Sequence, residues 1–147
     1  MARAVNILIN GATQLNSRLE RIKNVNPALI SAINKATVLV SGRAKYRCPV
    51  DTGALRNSIH THPADADGNT VKGVVYTAKE YAPYVEFGTG RRGSYPYKTK
   101  IALAYSSSAA GQVAQPFLMP ALLESKSNIQ EMISKAVIKA AIANAKG

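Results

Sequence analysis

Apolar residues recur along this chain with two different periods, and the change of period divides it. From Pro27 to Arg47, Leu29, Ile33, Ala36, Val40 and Ala44 return every three or four residues. Lys35, Arg43, Lys45 and Arg47 fall largely elsewhere, so the spacing predicts an amphipathic helix with one burying face and one basic face. Asn26 before Pro27 supplies a capping side chain followed by a proline at the first helical position, which is a good start. A second stripe, Leu122, Ile129, Met132, Ile133, Ala136, Val137 and Ala140, predicts a closing helix from about Ala121 that packs against the first. Between them the period falls to two. Leu55–Thr61 and Thr70–Ala78 favour strand, the second through Val71, Val74, Val75 and Tyr76, with Asp65 to Asn69 as a polar turn. They are expected to pair antiparallel. Upstream, Val5, Ile7 and Ile9 predict a short strand or extended arm over residues 1–10, ahead of a helix carrying Leu15, Leu19 and Ile22.

The passage from helix to strand is Cys48 to Ile59, CPVDTGALRNSI. Pro49 has no N–H and biases Cys48 away from helical geometry, so the first helix stops here. Asp51 and Thr52 carry oxygens able to accept from backbone N–H groups two or three residues on, and Gly53 permits a tight bend. From Leu55 through Arg56, Asn57 and Ser58 to Ile59, polar and apolar residues suit a helical turn passing into a half-buried strand.

After the strands comes YAPYVEFGTG, where Tyr81, Tyr84 and Phe87 lie three apart and Gly88 and Gly90 stop any helix. This predicts a short helical turn with aromatic anchors. Glu86 is the one acid set among aromatic residues, either a partner for an arginine, with Arg56 the expected one, or a perturbed carboxylate. From residue 91 to 115 glycine, serine, tyrosine and lysine surround one apolar patch at Ile101 to Tyr105. Long connections of this kind are usually functional, so a projecting hairpin or a loop that orders in a complex is expected.

Composition changes this picture modestly. At 147 residues with 46% hydrophobic content, residues 1–147 are expected to form one domain with a core of its own. No apolar run reaches membrane-spanning length and no export signal is visible, so no membrane partner is expected. Cys48 is the only cysteine, which excludes an internal disulfide. The net charge of +11 is unevenly spread. Residues 1–47 carry eight basic side chains against the single acid Glu20, and 91–115 carry Arg91, Arg92, Lys98 and Lys100 with no acid. The stretch between them is mildly acidic, so the basic segments can attract an acidic protein surface or DNA phosphates.

Catalytic and cofactor chemistry finds little support. His60 and His62 share one face of a strand, but two ligands do not make a metal site, and Asp65 and Asp67 fit a turn equally well. Phosphate-cradling, dinucleotide and nucleophile-elbow motifs are missing, so no cofactor is expected. Beside a helix-ending proline, Cys48 reads as a small buried residue and not as a nucleophile. Tyr95, Tyr97 and Tyr105, interleaved with bases, suit nucleic-acid stacking or, more commonly, packing at a protein interface.

Three stretches taken together resemble a known family. Pro49-Val50-Asp51-Thr52-Gly53-Ala54-Leu55-Arg56-Asn57-Ser58-Ile59, then Tyr81-Ala82-x-Tyr84-Val85-Glu86-Phe87-Gly88-Thr89-Gly90, then Gln115-Pro116-Phe117-Leu118-x-Pro120-Ala121 are similar to the motifs of tailed-bacteriophage neck proteins, the head-tail joining and tail-completion proteins. The resemblance spans roughly Leu15 to Ala143. It implies an α+β fold with two long helices on a small antiparallel sheet, to which the residues at 91–115, outside all three motifs, add the projecting loop or hairpin expected above. It also implies a non-enzymatic protein that forms a ring between head and tail, assembled in the host cytoplasm and resident in the virion neck. The partners implied are other copies of the chain, head-completion and tail proteins, and genomic DNA passing non-specifically through the lumen. Arg91, Arg92, Lys98 and Lys100 then line the lumen or contact a neighbouring subunit. A hexameric tail terminator and a basic DNA-binding protein are the competing readings.

Overall fold

A computed structural model describes residues 25–67, 70–89 and 111–145. The expected arm and leading helix, Gly90, the basic residues Arg91, Arg92, Lys98 and Lys100, and most of the 91–115 loop lie outside the described residues. The described elements are α1 (Val25–Arg47), α2 (Ala54–Asn57), β1 (Ile59–Asp67), β2 (Thr70–Thr77), α3 (Ala82–Phe87) and α4 (Leu118–Ala145). β1 and β2 form a two-stranded antiparallel sheet, so the class is α+β.

Local chemistry moves several boundaries. α1 already includes Val25 and Asn26, a shift of the size that fraying and assignment produce at helix ends. Leu55 is helical, not strand: Gly53 turns the chain with φ 79, and the N–H groups of Asn57 and Ser58 fall back on the carbonyls of Gly53 and Ala54 at 2.9 and 3.2 Å. The first strand starts only at Ile59 and runs on to Asp67, taking in the first three residues of the expected turn. Its in–out alternation slips by one place at His62 and Pro63, both exposed. A proline is tolerated there because each strand of a two-stranded sheet is an edge. α4 begins at Leu118, three residues early, for a reason given with the site below.

The chain gathers into two compact units. One contains the described residues up to Leu39, Thr61–Val74, and those from Ser125 onward. Within it Ala32, Ala36 and Thr37 of α1 are buried, as are Ser125 and Ile129 of α4. Here α1 meets the hairpin at very short range. A Cβ on Gly73 would lie 2.5 Å from Ile33 Cγ2 and 2.6 Å from Thr37 Cγ2, so glycine is required for the approach. The Ala64 N–H, just past the slip in β1, donates to Asn34 Oδ1 at 2.7 Å.

The other unit holds Val40–His60 and the described part of Val75–Glu124. Val40 and Ala44 line its side of α1, at the spacing the sequence predicts, and Cys48 just past the helix end, Leu55, Ile59, Ala82, Phe117 and Ala121 complete its apolar interior. Phe117 and Ile59 are its largest fully enclosed side chains.

Candidate functional site

The polar centre of this second unit is Glu86, buried at 5% exposure. α3 places it there by simple geometry. Ala82 and Glu86 are four residues apart and face inward together, whereas Tyr81 and Tyr84 point outward at 45% and 44% exposure. Of the three expected aromatic anchors, Tyr81 and Tyr84 are therefore on the solvent side and Phe87 is half-buried, and a small alanine lets the helical turn approach closely enough to deliver the carboxylate.

Glu86 does not meet Arg56, which is exposed. Its Oε2 accepts from the N–H groups of Phe117 at 2.7 Å and Leu118 at 2.9 Å, and its Oε1 accepts from Met119 at 2.9 Å. These are donors of the first turn of α4, which no helix can satisfy internally. Pro116 and Pro120, lacking N–H groups, bracket them. α4 has no acid in its own first turn, so Glu86 supplies across 31 residues the negative charge and the cap that the helix start needs. With its opening donors satisfied, the helix starts at Leu118 and not at Ala121.

Two further contacts hold the same strands of chain together. Gln115 N–H donates to the Val85 carbonyl at 2.8 Å, and Thr89 and Gln112 exchange N–H to carbonyl bonds at 2.9 and 3.1 Å. Thr89 Oγ1 also accepts from the Gln112 N–H at 3.0 Å. Between them Gly88 adopts φ 69, a conformation that a side chain would strain. The second and third motifs thus form one clasp.

The first motif contributes packing and local turns. Thr52 Oγ1 accepts from Ala54 N–H at 3.3 Å, a long bond, and exposed Asp51 takes no part, which corrects the expected aspartate cap. Thr52 sits two residues before the donor and closes the tighter ring. Ser58 is buried, its hydroxyl 2.7 Å from both the Leu55 carbonyl and Thr77 Oγ1, tying the corner to the end of β2. Cys48 is enclosed, and its burial pushes the thiol up, with the Arg56 charge opposing and the Glu86 charge reinforcing. A raised thiol holds little thiolate, so reactivity is suppressed.

Several working residues carried no signal in one dimension. Arg47 grips the Glu124 carboxylate with two guanidinium nitrogens, and Arg43 Nη1 donates to the Glu124 carbonyl at 2.8 Å. Part of the supposedly free basic face of α1 is therefore engaged inside its own unit. His60 lies 5.9 Å from Tyr76, ring to ring, and both histidines are exposed. Among the described residues no group of three His, Cys, Asp or Glu side chains converges to hold a metal, and no helix is long and apolar enough to cross a membrane.

A short carboxylate-bearing helix, a glycine turn and a proline-bracketed helix start together define a carboxylate-clasped α+β module. The family described as "Bacteriophage HK97-gp10, putative tail-component" matches residues 13–88, just over half of the chain, and the chain belongs to it. That membership agrees with the resemblance to tailed-phage neck and tail-completion proteins. The matched span covers the corner motif and α3 as far as Gly88, and the Gln115–Ala121 stretch lies beyond it. No curated protein and no solved structure matches the chain.

Proposed function

We propose that this chain is a structural virion protein that forms a ring in the neck of a tailed phage, joining the DNA-filled head to the tail and letting the genome pass. The observation that carries the reading is membership of a phage tail-component family by a chain whose buried polar residues serve architecture: Glu86 closes a helix start and Cys48 is suppressed by burial. On this reading the protein acts without catalysis or cofactor, and its partners are further copies, head-completion and tail proteins, and genomic DNA in passing. A closing ring needs head-to-tail contacts between two different patches of each protomer. Electron micrographs of the purified protein are expected to show rings, and particles lacking it are expected to accumulate as separate heads and tails. Joined particles formed without it would reject the role.

The family description as a tail component favours a second reading, a terminator capping the tail tube. Antibody labelling separates the two: a terminator stays on free tails, whereas a neck ring stays with joined particles. For part of the 91–115 loop we propose that the basic residues, among Arg91, Arg92, Lys98 and Lys100, face the lumen, a contact with a neighbouring subunit being the alternative. Neutralising all four is expected to leave rings intact and alter DNA retention; loss of rings would move them to a subunit contact. The basic DNA-binding alternative expects salt-sensitive duplex binding by the isolated monomer.

A further inference from the structure

The part of α1 up to Leu39 has a second face, none of it buried. Pro27, Ile30, Ser31, Asn34, Lys35 and Val38 line an open groove of about 520 Å³ there. These positions recur every three or four residues, on the side of the helix away from buried Ala32 and Ala36. Val38 is 64% exposed, and the only charge is that of Lys35, whose methylene stem can lie along apolar surface. A groove running about three turns along one helix has the length and period of another helix.

What reaches this groove first is the chain's own leading stretch. The family match starts at residue 13, and only Lys23 and Asn24 separate Ile22 from the start of α1 at Val25. Leu15, Leu19 and Ile22 stand at i, i+4 and i+7, with Ser17 and Glu20 on the other side of a helical projection. Pro27 has no N–H to give to the Lys23 carbonyl and its ring would collide with it, so a helix bearing that stripe cannot run straight on into α1. A connection this short sets two helices side by side and antiparallel. We propose that residues 13–22 form a helix that folds back along α1 of the same chain and fills the groove, Ile22 against Pro27 and Ile30, Leu19 against Ser31, and Leu15 against Asn34 and Val38. So short a tether holds the segment beside its site at about millimolar concentration or above, ahead of any neighbouring copy. This face of the protomer is then interior, whether or not copies join in a ring, and subunit contacts use other surface.

The test uses full-length protein carrying Cys48→Ala, so that introduced thiols are the only ones. Ser31→Cys is combined in turn with Leu19→Cys, Ser17→Cys and Glu20→Cys, and each dilute sample is exposed to mild oxidant. The Leu19→Cys pair is expected to close a disulfide within one chain about tenfold faster or more than the other two, because only the inward face comes within bonding range. Similar rates for all three would show a segment that visits the groove without docking, and Leu19→Cys links mainly between chains would place it on a neighbour; either result overturns the proposal. In a second arm the single change Ile30→Cys stands in the same Cys48→Ala background, and adding Leu15→Asp with Leu19→Asp is expected to speed its alkylation about tenfold or more. Native Cys48, buried in the other unit, monitors the fold: in a chain carrying only the Leu15 and Leu19 changes its alkylation is expected to stay slow. Unchanged alkylation at position 30 would leave the groove without its occupant and reject the docking.

Discussion

In the unit built on Val40–His60 and the clasp, order comes from one large ring and one carboxylate: Phe117 fills the interior and Glu86 gathers three N–H groups. In the unit built on the first half of α1 and the outer hairpin, order comes from the absence of side chains: Ala32 and Ala36 are buried and Gly73 lets the hairpin backbone reach Ile33 and Thr37. The first is specified by chemistry that few residues can supply. The second is specified by space that almost any larger residue would take. The difference teaches that the two units fail in opposite ways, one by losing atoms and the other by gaining them.

That contrast can be broken by experiment. Phe117→Ala is expected to cost the most, about 3–5 kcal/mol in chemical denaturation, because it empties an enclosed site. Glu86→Ala follows at about 3 kcal/mol, since three buried or part-buried donors lose their acceptor; Glu86→Gln keeps the shape and is expected to recover only part of the loss. In the other unit Gly73→Ala is expected to cost about 1–3 kcal/mol, whereas Thr37→Ser in the same background, which deletes one of the two clashing methyls and keeps the hydroxyl bonded to the Asn34 carbonyl, recovers some of it by making room. Equal cost for Gly73→Ala with and without that change would remove the steric account. Arg47→Ala is expected to lower stability by no more than about 1 kcal/mol, because the pair with Glu124 is part-exposed on both sides. Smallest of all, Asp51→Ala is expected to leave melting unchanged within error, while Thr52→Ala shifts it slightly. A clear loss at Asp51 would restore the aspartate as the cap.

Periodic features were legible in one dimension and remote polar pairings were not. The stripe of Ala36, Val40 and Ala44 places the buried face of α1 directly, because helical spacing is a local rule. Leu55 supported both a strand and a helical turn passing into one, because one apolar residue fits either, and the decision for the turn belongs to the φ of Gly53. Glu86 misled for a different reason. An acid among aromatic residues suggests an arginine, yet its acceptors were matched by backbone donors that every residue except proline carries. One clue was present: Gln-Pro-Phe-Leu-Met-Pro opens a helix with no capping side chain of its own, so its cap had to come from elsewhere. Gly73 and the Arg47–Glu124 pair gave no such clue, since their neighbours are distant in the chain.

The hydrogen-bonded pairing of Thr89 with Gln112 has a consequence for how such a chain can change over generations. Thr89 and Gln112 are hydrogen-bonded to each other, so the two ends of the connection between them are held together whatever its length. Each doubling of that connection costs only about 0.6 kcal/mol in closure entropy. Changes of length between the two are therefore expected to be tolerated, and an inserted peptide tag is expected to leave the melting of the clasp almost where it was.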